Sequence, residues 1–475
     1  MARINTNISA LTARRNLNAA YGSLNTTMEH LATGLRISRG KDDPAGLIVS
    51  ERLRTEIAAS SQAVSNTQRA KLIVATAEGA LDEVASLLKD IQAKIVEASN
   101  EGAFSEDEMR ANQLQIDSAI DSITRIANTT SFAGRKLLDG SLQYNTSGLD
   151  LGTIRGCQIH AAQFGSRSSI GVSVAVQQPA SQARLSFPFS ALGNSGAVTV
   201  EIRGSKGVTT LTFASNATAS QVAEAVAAVA DATGVSANVS TTLTAGFVMY
   251  SRGYGSREFV RVRILTEGQN FGSVTPSMPV SDSGADAIAT INGAMAASDG
   301  NHLMIKNSSI DIELDVLANW VSSTNFYITG GGALFQVGPQ INTNMQVNMA
   351  INSVHASQLG NAVIGYLSQV KTGGDYELAS KQYTRAAEIV TQAVDRISVL
   401  RGRLGSFERN TLDTNMNQLG ITVENLTSAE SAIRDADFAY ETSRLARDQI
   451  LVNAGTTVLA LANQTTQSVL RLLGG

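Results

Sequence analysis

Near the start of the chain, apolar side chains return at alternating four- and three-residue steps: Leu17, Tyr21, Leu24, Met28, Leu31 and Leu35. Near the other end Leu412, Met416, Leu419, Val423, Leu426 and Ile433 keep the same rhythm, interrupted by Glu430. That spacing sets each group on one stripe of a helix, the seam of a coiled coil. A stripe so narrow is unstable in water. Each terminal helix therefore needs a partner, and the helix at the opposite end is the nearest candidate. A first stripe of Ile4, Ile8 and Leu11 slips register before Leu17, and residues 1–41 read as one helical region. Asp43 can cap the next helix, with Pro44 at its first position. That helix carries Leu81, Val84, Leu88, Ile91 and Ile95, another seam. Asn100-Glu101-Gly102 reads as a break, and Ser105 with Glu108 as the capping box of a helix bearing Ile116, Ile120 and Ile123.

From about 146 to 332 the texture changes. Short β-rich runs alternate with turns at 197–203, 208–213, 247–250, 259–265 and 310–316, and an Ala/Val-rich stretch at 219–232 reads as helix. This pattern predicts one or two small α+β domains inserted into a helical body. Residues 334–338 and 345–351 predict a β-hairpin that closes the insertion. Helix resumes by about Leu378. Thr427 and Glu430 could open a new helix, but the stripe from Leu412 to Ile433 keeps its phase and favours one continuous helix. The fold class is thus mainly α, with long terminal helices and a β-rich insertion.

Composition sharpens this picture. The chain has 475 residues, enough for about three domains. Aromatics are only 5% and charged residues 16%, so small aliphatic side chains do most of the burying, which suits long packed helices. Six prolines leave such helices uninterrupted. The net charge of -4 has no basic block, which argues against a nucleic-acid partner. One cysteine, Cys157, excludes an internal disulfide framework and reads as a small buried apolar residue. Neither a secretory signal peptide nor a bilayer-length apolar run is expected, so no membrane partner is predicted.

Catalytic chemistry finds little support. His30, His160, His302 and His355 are scattered without metal-ligand spacing, and His30 reads as a solvated helix residue. Gly253-Tyr254-Gly255 and Gly330 to Gly332 lack the Lys-Ser/Thr of a phosphate loop and read as turns. Glu106, Asp107 and Glu108 fit a first helical turn, where the helix dipole favours negative charge. Asp435 and Asp437 read as polar flanks of a packed helix. No cofactor, metal or catalytic residue is predicted.

Taken together, these residues resemble bacterial flagellin. The opening Ile4-Asn5-Thr6-Asn7-Ile8-Ser9-Ala10-Leu11 is similar to the family's start, followed by Leu31-Ala32-Thr33-Gly34-Leu35-Arg36-Ile37 and Asp42-Asp43-Pro44-Ala45-Gly46-Leu47. Phe132-Ala133-Gly134-Arg135-Lys136-Leu137-Leu138-Asp139-Gly140 continues the likeness. At the other end stand Glu424 to Asp437, Gln449 to Gly455, Ala460 to Gln464 and Val469 to Leu473. The likeness covers the two ends in family order and leaves the middle unmatched.

The resemblance implies that residues 1–44 and 432–475 pair as an innermost coiled coil. It also implies that 45–145 and 333–431 form a bundle with a hairpin, and that 146–332 face solvent. The interface stripes, extended to Leu459, Val469, Leu470 and Leu473, would be buried by neighbouring copies in a helical homopolymer. Export without a cleaved signal, an extracellular filament, and an export chaperone, filament cap and hook–filament junction proteins as partners are further implications. Many flagellins carry an Arg, a Leu and a Glu that an animal innate-immune receptor recognises; Asp90, Lys94 and Gln115 stand there in this chain. A hook–filament junction protein is the nearest rival, and an enzyme or binding module displayed in 146–332 a rival of another class. The long C-terminal likeness favours the filament subunit.

Overall fold

A computed structural model describes residues 6–102, 105–165, 167–192, 196–239, 246–266, 271, 279–307 and 309–473, with side chains up to Gln464 in the last helix. The chain divides into two compact units. The first takes the residues up to Arg69, Gln336–Ile341, and everything from Arg409 onward; the second takes Ala70–Phe335 and Asn342–Glu408.

In the first unit, helix α1 (Ile8–Thr33) is started by Asn7, whose side chain accepts the Ala10 N–H at 2.9 Å. It stops at Thr33, short of the single helical region expected to residue 41. Gly34 adopts a left-handed φ of 70°, and its N–H closes on the His30 carbonyl at 2.9 Å. Leu35, expected on the α1 stripe, therefore lies beyond the helix, in an antiparallel bridge with Asp435. Helix α2 (Pro44–Ala98) begins as the sequence predicts: Asp43 Oδ1 accepts the Gly46 N–H at 2.9 Å.

The second unit takes the later part of α2, where Leu81, Val84, Leu88, Ile91 and Ile95 are buried, and helix α3 (Glu106–Thr129), which buries Ile116, Ile120 and Ile123. The Ser105–Glu108 capping box is present in both directions. Two antiparallel sheets enclose one β core. One, of five strands, runs in the order 294–295, 288–291, 170–178, 323–331, 144–147; the other, of four, runs 297–299, 302–306, 310–316, 154–162. Strand 310–316 alternates buried and half-buried positions, as a strand with one face on a core must. A second core gathers Phe187, Phe247 and Phe271 with Val222 and Val226 of helix α4 (Ala219–Ala228), which a short α5 (Ala230–Thr233) follows. The Phe187 and Phe247 rings stack at 5.0 Å. The β-rich insertion thus has two small cores.

Strands 333–336 and 346–349 pair where the hairpin was expected. Helix resumes slightly later than Leu378, at α6 (Tyr383–Phe407), after a single turn at Leu378–Ser380. Gln113 of α3 bonds the backbone of Val370 and Leu378 and so holds this returning segment. From α6, Arg403 reaches Glu313, and Glu388 meets Lys206 at 2.8 Å, tying both β cores to one helix.

A π-helical turn at Glu408–Asp413 precedes α7 (Thr414–Arg434), which passes Thr427 and Glu430 unbroken. Back in the first unit, α7 lies against α2 and not against α1. Asn415 Nδ2 sits 3.5 Å from Thr67 Oγ1, and Arg434 pairs with Glu51 at 3.2 Å. The expected partnership between the Leu412–Ile433 stripe and the Leu17–Leu35 stripe is therefore incorrect. A seam states that a helix needs a partner, without stating which one. Asp435 leaves the helix, and Asp437 opens α8 (Phe438–Leu473) by accepting the Ala439 and Tyr440 N–H groups.

Candidate subunit interface

Helices α1 and α8 run antiparallel, side by side. Asn7 Nδ2 donates to the Ala462 carbonyl at 2.8 Å near one end, and His30 Nδ1 lies 3.0 Å from Glu441 Oε1 near the other. The α8 face turned toward α1 is Glu441, Leu445, Asp448, Val452, Gly455, Leu459 and Ala462, at unbroken four- and three-residue steps. Sequence reading missed this seam because polar and small residues occupy several of its positions. A Cβ on Gly455 would stand 3.0 Å from Leu17 Cδ1, so the glycine permits the close approach.

On α1 the buried positions are Ala13, Leu17, Thr27 and His30. The expected stripe is thus only partly the inner face. Leu17 is buried, and Leu24 and Leu31 are half-buried; Tyr21 and Met28 point to solvent, as do Ile8 and Leu11. His30, read as solvated, is 7% exposed because its imidazole is held between α1 and α8. Leu412 and Leu419 are buried, while Met416, Val423, Leu426, Ile433 and Leu459 are half-buried. Ile4 lies outside the described residues, as do the side chains of Val469, Leu470 and Leu473.

Several large apolar side chains remain uncovered in this unit. Besides Tyr21 and Met28, the exposed residues include Ile48 on α2, Ile421 on α7, and Phe438, Tyr440, Ile450, Val458 and Leu461 on α8. Ile450 is 67% exposed and Tyr440 64%. An apolar surface repeated along several helices marks a place where another protein surface docks. Burying each such side chain would contribute about 1.5–3 kcal/mol. No helix among the described residues is long and apolar enough to cross a membrane.

The terminal helices match two family models: the bacterial flagellin N-terminal helical region over residues 4–143, and the bacterial flagellin C-terminal helical region over 387–473. Similarity also runs through the unmatched middle. A flagellin of Clostridium tyrobutyricum is 31% identical, with 98% of this chain and 100% of that one covered. The chain belongs to the bacterial flagellin family. B-type flagellin of Pseudomonas aeruginosa is 30% identical and a flagellin of Salmonella rubislaw 29%, each with 99% of both chains covered. Like its family, this flagellin is a structural, non-enzymatic subunit of the flagellar filament, and the junction-protein alternative is not favoured.

Among solved structures, Xanthomonas campestris FlgL is similar at 11% identity over 80% of this chain and 99% of that one, with a TM-score of 0.28. The D2–D3 domains of the Escherichia coli flagellar cap protein FliD are 15% identical over 40% of this chain and 99% of that one, also at 0.28. Neither likeness bears on the fold.

The three positions that the resemblance would assign to receptor recognition come together on the second unit. Asp90, Lys94 and Gln115 line one depression of about 650 Å³ between α2 and α3, with Leu87, Ile91 and Leu114. Lys94 is engaged by Glu97 at 2.8 Å.

Proposed function

We propose that α1 and α8 form a coiled coil whose uncovered apolar faces are buried by neighbouring copies, so that the chain polymerises into a helical filament. The proposed division is a filament core of residues 1–44 and 432–475, a surrounding bundle of 45–145 and 333–431, and a solvent-facing 146–332. The observation that carries the reading is the run of exposed apolar residues on helices that already have their intramolecular partners. A helix of about 26 residues is roughly 39 Å long, enough to meet more than one neighbour along an axis. Before assembly these faces require shielding, which supports an export chaperone as partner. The flagellar cap and the hook–filament junction proteins would then meet the same helices at the two ends of the polymer. The proposed export route uses no cleaved signal.

The test is removal of either terminal helix, residues 1–33 or 438–475. Each truncation abolishes salt-induced filaments seen by electron microscopy, while the β region keeps its unfolding transition. Long filaments from either truncated chain would sink the proposal. On the bundle, Asp90 puts a negative charge where many family members have Arg, and Lys94 puts a positive charge where they have Leu. Such a reversal disfavours recognition by the innate-immune receptor. Purified protein is therefore expected to give a weak or absent response in receptor reporter cells, and Asp90→Arg with Lys94→Leu a stronger one.

A further inference from the structure

We infer that the buried polar residues between α1 and α8, His30 and Glu441 at one level and Ser23, Thr27 and Asp448 one heptad along, form a clamp that fixes the register of the helix pair. This deepens the assembly reading and rests on it. His30 Nδ1 lies 3.0 Å from Glu441 Oε1; Ser23 Oγ donates to Asp448 Oδ2 at 2.6 Å, and Thr27 Oγ1 to the same oxygen at 3.4 Å. Thr27 is fully buried, Asp448 is 1% exposed and Glu441 3%.

These groups are poor choices for stability. Among the described residues Glu441 Oε2 has no hydrogen-bond partner, and Asp448 Oδ1 has only the Arg447 guanidinium at 3.6 Å. Apolar residues of similar volume would pack the seam at less cost, which leaves register as the property the polar groups supply. Elsewhere on the seam Leu17 over Gly455 is the one tight steric fit, and small residues such as Ala13, Ala20 and Ala462 discriminate weakly between alignments. Sliding α8 by one heptad one way brings Asp448 to His30 but carries Glu441 to the level of Ile37, past the end of α1. Sliding it the other way sets Asp448 beside Asn16 and leaves His30 past the start of α8. That second slide would also set Glu441 beside Ser23, so it strands His30 and not a carboxylate; only the observed alignment gives Glu441, Asp448 and His30 a partner each.

The experiment uses the full chain with Cys157→Ser. Leu17→Cys with Gly455→Cys forms a disulfide in the observed register, and Leu24→Cys with Gly455→Cys reports a one-heptad slip; both are read in monomer and in filament. With the native clamp the in-register disulfide dominates. The triple change His30→Leu, Glu441→Leu and Asp448→Leu should keep the helix content while raising the slipped-to-native ratio at least tenfold. His30→Glu alone, which sets carboxylate against carboxylate, should raise it as well, and His30→Glu with Glu441→His should restore it. An unchanged ratio in the triple variant or in His30→Glu overturns the clamp, as does a swap that fails to restore the ratio. If the native chain fails to form filaments the assembly reading falls, and the monomer ratios still decide the clamp.

Discussion

At Glu313 the residue scale carries a pH signature. Its carboxyl is held down to about 2, first by the His160 imidazole and then by Arg403 and His302. His160 Nε2 stands 3.4 Å from Glu313 Oε1. His302 is raised above 6.5, first by its hydrogen bond to Asp315 at 2.6 Å. A depressed acid stabilises the fold above its unfolded pKa, about 4.5, and that contribution is lost as pH falls toward 2. A raised histidine stabilises below 6.5, and that contribution is lost as pH climbs through its folded value. The β region should therefore be most stable between about pH 4.5 and 6.5. Thermal melts read through Trp320, which packs against the first β core, should show this maximum. Glu313→Gln should flatten the acid limb and His302→Asn the alkaline one. Cys157 is driven up to about 12 by burial and by Asp315, consistent with the inert thiol expected from sequence.

Helix ends were the most legible elements, because caps are local chemistry. Asp43 and Ser105 make the bonds their spacing predicts. Gly34 was legible in principle, yet the apolar rhythm through Leu35 concealed it. The identity of helix partners was not legible, since Tyr21 and Met28 fit the α1 stripe as well as Leu17 does and nevertheless face outward. Outward residues should matter for assembly and little for the monomer. Met28→Asp and Ile450→Asp are each expected to raise the critical concentration for polymerisation by tenfold or more, measured by sedimentation. Monomer stability should move by less than about 0.5 kcal/mol, as for a surface substitution. A large loss of monomer stability instead would place these residues in an intramolecular core.

At the scale of the molecule, the insertion enters and leaves at neighbouring points. Strand 144–147 pairs with 323–331, with Tyr144 opposite Gly331. The intervening chain meets the flanking segments through Arg403 with Glu313, Glu388 with Lys206, and the 346–351 segment, where the Ala350 N–H donates to the His160 carbonyl at 3.0 Å and Asn348 Nδ2 to the Ala162 carbonyl at 3.3 Å. A chain with residues 148–326 replaced by a short Gly-Ser linker is expected to retain α3 and α6 by circular dichroism and still form filaments by electron microscopy. Failure to assemble would show that the β region contributes to the polymer contact itself.

By itself the sequence determined where helices and strands form, that the middle is a β-rich insertion, and that the ends carry more apolar stripe than a lone helix can cover. These follow from period, caps and turn residues, which act over a few positions. Tertiary structure decided that α8 takes α1 while α7 takes α2, that Tyr21 and Met28 face outward, and that His30 is buried against Glu441. A contact between residues hundreds of positions apart leaves no local trace. The α8 seam is marked by Glu441, Asp448 and Gly455, residues that resemble a surface until the facing helix is in place.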